Sequence, residues 1–299
     1  MPKRTFRFNS RKFGVVNQRR IHARLTYFLR LAWLIGHVEA PSRFDHLLAA
    51  FRLVFREYLR TGYCCESEGP FRCSLFDFLP NCRKFLYRDY RGNLAGTASL
   101  VLDSDAGLPA DGVFSKELND LRLAGCKLAE GTMFAIDSNN PCKFALPLLM
   151  ASFFRTAQCE RVSDIVLIVN PKHVDFYVRV LEFQAISGPK PCPHVANASG
   201  VLLRRNISRL SLSDIKSPWA RHLVALSMLI SSPLPAKLWG KAKMQRFLAE
   251  QPWIVATAPA KLQHTFKQAY DLGEESEQSA PAFPLRLDGA LVEAAAANS

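Results

Sequence analysis

The stretch that most constrains the fold of this chain is Asp164-Ile-Val-Leu-Ile-Val169, followed at once by Asn170-Pro-Lys-His-Val-Asp-Phe-Tyr-Val-Arg-Val-Leu-Glu-Phe183. The apolar run reads as a buried strand. Asn170-Pro171 breaks it, and Val174, Tyr177, Val178 and Leu181 then recur at the spacing of an amphipathic helix. The chain therefore holds a strand that delivers a short helix carrying an aromatic pair.

Length and charge bound the rest. The 299 residues suffice for one substantial core with appendages or for two small domains. Apolar and charged contents of 48% and 22% are ordinary for a soluble globular protein. The net charge of +13 is uneven: residues 1–38 hold nine Lys and Arg and no acidic residue. A nearly balanced body thus carries a basic arm, which favours anionic lipid, nucleic acid or an acidic protein. The eight cysteines lack the spacing and the nearby His of a zinc site. With no signal peptide in view they read as reduced thiols of a cytoplasmic protein. No apolar run reaches the ~18–20 residues of a membrane span.

Along the chain, residues 1–40 read as the basic arm and one helix over 24–37. A helical stripe follows over 44–60, then a Cys/Gly/Pro-rich loop over 61–80 and a hairpin over 82–88 and 94–103. Further elements are a helix over 114–123, a strand over 127–137, an apolar helix over 144–156 and a strand over 162–169. The motif helix over 174–181 and a strand over 201–204 complete the pattern. This order predicts an α/β mixed sheet flanked by helices, filling residues 41–212. Residues 213–272 read as a helical extension, with two helices over 218–248 split at Pro233-Leu-Pro235, and the acidic, then Pro- and Ala-rich residues 273–299 as a disordered tail.

Five segments carry a resemblance: Phe51-Arg-Leu-Val-Phe-Arg-Glu-Tyr58, Gly96-Thr-Ala-Ser-Leu-Val-Leu-Asp-Ser104, Leu121-Arg-x-x-Gly-x-Lys-Leu-Ala-Glu130, Phe134-Ala-Ile-Asp137 and Pro171-Lys-His-Val-Asp-Phe-Tyr177. In order and spacing they resemble the FeeM-type long-chain N-acyl amino acid synthases, relatives of the acyl-homoserine lactone autoinducer synthases. The likeness covers about residues 45 to 205. It implies a fold like that of the Gcn5-related N-acetyltransferases (GNAT), with a long acyl chain delivered on the phosphopantetheine of acyl carrier protein to the amine of an amino acid. No bound cofactor or metal is implied. Acyl-CoA is the alternative donor, but Ser138-Asn-Asn-Pro-Cys-Lys-Phe144 has no glycine where acetyl-CoA-using relatives place a glycine-rich diphosphate loop. Where the lactone synthases have an Arg three residues after the strand glutamate, this chain has Met133.

The resemblance makes Glu130 the candidate base and Tyr177 the candidate acid for the leaving thiolate. The competing readings are a Glu130 that pairs with Lys127 or Arg122, and a Tyr177 that packs in the core. Backbone N–H groups of Phe134, Ala135 and Ile136 are candidates for the oxyanion. Lys143 and Arg155 are candidates for the pantetheine phosphate, and Arg52 or Arg56 for the acceptor carboxylate; each has a solvated-surface alternative. The two helix arginines are like-charged at i,i+4, which a nearby anion would relieve. His173 touches substrate or merely caps its helix. Phe144, Leu146, Leu148, Leu149, Phe153 and Phe154 either line an acyl tunnel or form core. The expected partners are acyl carrier protein and an amino acid, with peripheral membrane contact as a further use of the arm or the C-terminal helices. A basic nucleic-acid or membrane-surface binding protein on an inactive body is the reading from another class; most of the charge sits in the arm, so no nucleic acid is expected.

Overall fold

In the computed structural model, residues 36–208, 215–230 and 234–272 are described. The expected helix over 24–37, the arm and the tail fall almost wholly outside them. The last residue of that helix, His37, instead opens a short strand, β1 (His37–Glu39).

The stripe over 44–60 forms helix α1 (Phe44–Thr61). Phe44, Leu47, Phe51 and Val54 recur every three or four residues, so one face is buried. Gly62 ends the helix at φ +75°, a conformation glycine adopts without a Cβ penalty, and Tyr63 N–H donates back to Tyr58 O at 2.8 Å. The hairpin is β2 (Cys82–Arg88) and β3 (Leu94–Leu102). Then follow α2 (Asp111–Leu123), β4 (Leu128–Ile136), α3 (Ala145–Cys159), β5 (Asp164–Val169) and α4 (Pro171–Arg179). The short strands β6 (Gln184–Ala185) and β7 (Lys190–Cys192) precede β8 (Ala198–Asn206). Strands β1, β6 and β7 were not expected: two or three residues show no alternation, and Pro191 interrupts β7.

The sheet order is β1-β2-β3-β4-β5-β8-β6, with β7 also on β8. Every pairing is antiparallel except that of β4 with β5. That parallel pairing runs only from Leu128 opposite Asp164 to Gly131 opposite Leu167. Beyond it β4 stays with β3 as far as Ile136, while β5 stays with β8 as far as Val169. The sheet therefore splits at its centre. A side chain at the split is excluded, because a Cβ on Gly131 would lie 2.4 Å from Leu167 Cδ2 and 2.7 Å from Phe153 Cζ.

One face of the sheet packs on α1 and α2, and the other on α3. On the first, Val101, Leu128, Val166 and Leu202 meet Phe51, Phe114 and Leu118. On the second, Ala98, Ala129, Ile165 and Leu203 meet Leu149, Phe153 and Phe154. Of the apolar α3 residues, Leu149, Phe153 and Phe154 are core, while Phe144, Leu146 and Leu148 are half-buried at its margin.

The C-terminal region forms α5 (Pro218–Leu229), α6 (Lys241–Glu250), α7 (Trp253–Ala256) and α8 (Ala260–Ala269). The two helices expected over 218–248 are α5 and α6, with the Pro-rich segment between them, while α7 and α8 lie beyond that stretch. Phe247, Trp239, Met244, Leu262 and Phe266 enter the same core as α1.

Helix α4 starts where Asn170-Pro171 directs. Asn170 Oδ1 accepts from Lys172 N–H at 3.1 Å, and Pro171 occupies the first helical turn, where a missing N–H costs nothing. Asn170→Ala should lower stability by about 1 kcal/mol, read as a shift of the urea midpoint. An unchanged midpoint would mean that Pro171 alone fixes the helix start.

Candidate active site

At the split in the sheet, β4 is bulged. Thr132 faces Ser99 and Ala135 faces Thr97, so Met133 and Phe134 together oppose the single Ala98. Met133 takes φ +50° to make this possible. Asp137 N–H then donates to Ala95 O at 3.0 Å. By ladder alternation the N–H of Ile136 turns to the other edge, the one β5 has left. Ala135 is buried against Leu53 and Val54 of α1, and Phe134 and Ile136 are half-buried.

Two tyrosines approach this region from different helices. Tyr177 on α4 meets Phe176 and Phe183 edge-to-face at 5.5 and 5.9 Å, and burial raises its hydroxyl pKa. Tyr58 on α1 has its hydroxyl pushed up to about 12 by burial, with Arg72 opposing the shift and Tyr177, Tyr63 and Asp77 adding to it. Tyr58 and Tyr177 therefore lie within each other's field. Arg72 belongs to the loop after α1, which is anchored where Arg72 N–H donates to Phe51 O at 3.2 Å. The same guanidinium depresses the pKa of His194, second to burial.

Glu130 lies in the paired half of β4, on the face that packs against α1 and α2, and only 2% of its surface is exposed. Its Oε2 accepts the Ala110 N–H at 2.7 Å. Burial pushes the carboxyl up to about 8; Ala110 opposes the rise and Asp111 adds to it. The expected alternative partners are engaged elsewhere. Lys127 Nζ donates to Glu160 O at 2.5 Å, and Arg122 bridges Asp103 and Asp111, each at 2.7 Å. Asp111 in turn accepts from Leu108 N–H at 2.7 Å, so Arg122 fixes the turn whose N–H holds Glu130. Buried Cys192 feels the Glu130 charge, and a Cβ on Gly112 would lie 3.6 Å from His194 Nε2. Glu130, Cys192, His194 and the start of α2 thus form one neighbourhood, with Arg72 linking it electrostatically to Tyr58. No direct contact among the described residues joins Glu130 to Tyr177.

The cationic candidates are dispersed. Arg52 is exposed, its guanidinium 4.9 Å from the centre of the Phe71 ring. Arg56 pairs with Asp137 at 2.8 Å and lies 3.6 Å from Glu57, so the anion beside it is protein carboxylate. Lys143 is exposed just before α3, its Nζ 5.2 Å from the Phe144 ring. Arg155 lies ten residues along α3 from Ala145, about 15 Å, and donates to Ile230 O at 3.1 Å. His173 is exposed on the first turn of α4, with its pKa lowered by burial and by Lys172.

The glycine-free loop is tied down from three sides. Glu57 accepts from the N–H and hydroxyl of Ser138 at 3.1 and 3.0 Å, Asn140 donates to Asp89 at 2.9 Å, and Cys142 lies 3.0 Å from the Tyr87 hydroxyl. Burial works against the charge on Glu57 and Asp89, but these hydrogen bonds hold both pKa values low. An open cavity of about 540 Å³ lies against the loop, lined by Asp89, Tyr90, Asn93, Asp137 and Asn140 among others.

Sequence reasoning missed Tyr58, Arg72, Ala110 and His194. Only Tyr58 left a trace, as the last residue of a family segment. The other three lie in loops or turns without periodicity.

Similar proteins are known. The family described as N-acyl amino acid synthase FeeM matches residues 49–206. The solved structure of FeeM, an N-acyl amino acid synthase from uncultured soil microbes, is 26% identical with a TM-score of 0.53, covering 62% of this chain and 96% of that one. BjaI, a CoA-dependent acyl-homoserine lactone synthase solved with SAM and isopentyl-CoA, is 15% identical (TM-score 0.45, covering 69% and 93%). A Gcn5-related N-acetyltransferase from Kribbella flavida is 16% identical (TM-score 0.39, covering 57% and 97%). These last two are too distant to inform the site. No curated protein matches the chain. Since the family match spans more than half of its length, the chain belongs to the FeeM family of N-acyl amino acid synthases, acyltransferases built on a GNAT-like fold.

Proposed function

We propose that the protein moves a long-chain acyl group from the phosphopantetheine thioester of acyl carrier protein to the α-amine of an amino acid. The observation that carries this reading is the split of β4 from β5 at Gly131 and Leu167. It opens a slot in which the pantetheine arm can lie as an extended strand, with the thioester carbonyl at the Ile136 N–H as its oxyanion donor.

The acceptor arrives as an ammonium ion and must lose a proton before it attacks. Glu130, with a pKa near 8, accepts that proton at neutral to mildly alkaline pH, through a water because its carboxyl is enclosed. The free amine attacks the carbonyl carbon and the C–N bond forms; the nitrogen then sheds its second proton to water, and the C–S bond breaks. The thiolate takes its proton from the Tyr177 hydroxyl, which regains one from solvent. The acceptor carboxylate meets Arg72, whose charge reaches both Tyr58 and His194. Lys143 and the start of α3 meet the single phosphodiester. A CoA diphosphate is less suited, because Glu57, Asp89 and Asp137 surround the loop and Ser138 N–H is already occupied.

Expression in a bacterial host, followed by mass spectrometry of the organic extract, tests the reading. Long-chain N-acyl amino acids are expected, and their masses identify both substrates. A folded wild-type protein that yields none overturns it. Parallel assays with acyl carrier protein and CoA thioesters decide the donor. Tyr177→Phe should lower turnover about 10²-fold, the low end for acid–base catalysis, because a thiolate of pKa near 8.5 needs little help to leave. Unchanged turnover would leave Tyr177 as packing only.

A further inference from the structure

Helix α5 is buried on one face, and its solvent face mixes apolar side chains with the exposed Arg221 and His222. Ala220, Leu223, Val224 and Ser227 are buried, with Leu223 joining the α3-side core. Its outer surface carries Trp219, Met228 and Leu229, which are 36%, 51% and 74% exposed. The surface continues onto α4, which has no buried residue and exposes Phe176 and Val178. Trp219 and Phe176 meet edge-to-face at 6.3 Å, and Phe176 meets Tyr177 at 5.5 Å.

The charges around this surface are mostly positive. Lys172, Lys216 and Arg221 are exposed on α4, on α5 and just before it. Residues 215–249 contain six Lys and Arg and no acidic residue. The adjacent acids are compensated: Asp175 pairs with Arg179 at 3.4 Å, and Glu182 accepts from Ser217 N–H at 2.6 Å and lies 3.7 Å from Arg205. Exposed aromatic and aliphatic side chains with a basic rim match a surface that is apolar at depth and anionic at its boundary. The chain's own arm, equally basic, and a second copy of the same face would both be repelled.

We infer that the α4–α5 face docks on an anionic lipid bilayer. Docking brings the Tyr177 end of the slot to the membrane. On the proposed function, an amphiphilic product then leaves directly into lipid.

The test uses the full-length protein with sedimented vesicles, either of phosphatidylcholine alone or of equal parts phosphatidylcholine and phosphatidylglycerol. Wild type should bind the anionic vesicles. Leu229→Glu and Trp219→Ser, both at exposed positions, should weaken partitioning about tenfold with unchanged circular dichroism and thermal midpoint. Brominated acyl chains should quench tryptophan emission in wild type and much less in Trp219→Phe. Three results would overturn the proposal: no vesicle binding by wild type, binding by Leu229→Glu as tight as wild type (the arm or another surface then being responsible), or a Leu229→Glu defect confined to an acidic carrier protein. Acyl transfer measured without vesicles should be the same in wild type and Leu229→Glu, so failure of the docking proposal and failure of the proposed reaction are separable.

Discussion

Replacing Glu130 with glutamine is expected to lower acyl transfer about 10³-fold while leaving the fold intact. The argument for an intact fold is isosteric. Near pH 7 the buried carboxyl is largely neutral, and it accepts the Ala110 N–H at 2.7 Å, a bond the glutamine carbonyl can also accept. What glutamine cannot do is take a proton. The rate of the wild type should therefore rise with pH toward about 8, and the variant should lack that component. The acceptor's own amine also titrates on the alkaline side, so stability gives the cleaner measurement. The carboxyl's pKa in the folded protein lies above its ordinary value of 4.5. Its contribution to stability is thus complete below that value and is lost as pH rises through about 8. Thermal midpoints of wild type and Glu130→Gln, compared between these limits, should diverge in the variant's favour as pH rises. Histidines common to both proteins cancel in the difference. Turnover of the variant within tenfold of wild type would remove Glu130 from the chemistry and leave it as a support for Ala110.

Phe247→Ala should destabilise the protein by about 3–5 kcal/mol. Phe247 lies on α6, outside the segment that the family shares, yet it is 5% exposed and its ring meets Phe44 at 5.3 Å, Phe78 at 5.6 Å and Phe71 at 6.1 Å. Truncation removes these contacts and leaves a cavity between α1 and α6. The urea midpoint should fall with little change of slope. A loss below about 1 kcal/mol, ordinary for a surface change, would show that the C-terminal helices rest on the core without belonging to it.

The regular elements of this fold were legible because their periods are. The stripe on α1, the hairpin, the strand through Glu130 and the strand–break–helix through Asn170 all lie where spacing puts them. The bulge was not legible: Thr132-Met-Phe134 reads as unbroken strand, and only its pairing with β3 reveals the extra residue. The partner of Glu130 was not legible for a related reason. Lys127 and Arg122 are near it in sequence, but strand alternation turns residue 127 to the other face. Its actual partner, Ala110, comes from a turn twenty residues earlier. Arg72 and His194 lie in irregular segments, so only tertiary structure brings their charges to bear on Tyr58 and the start of α2.

Phe71, which carries the ring of Phe247 on one side, is the residue next to Arg72. The aim of the acceptor's proposed carboxylate anchor is therefore set partly by helices that relatives need not share. Substrate preference in such a protein can drift through substitutions that never touch the substrate, while the split strands stay as they are.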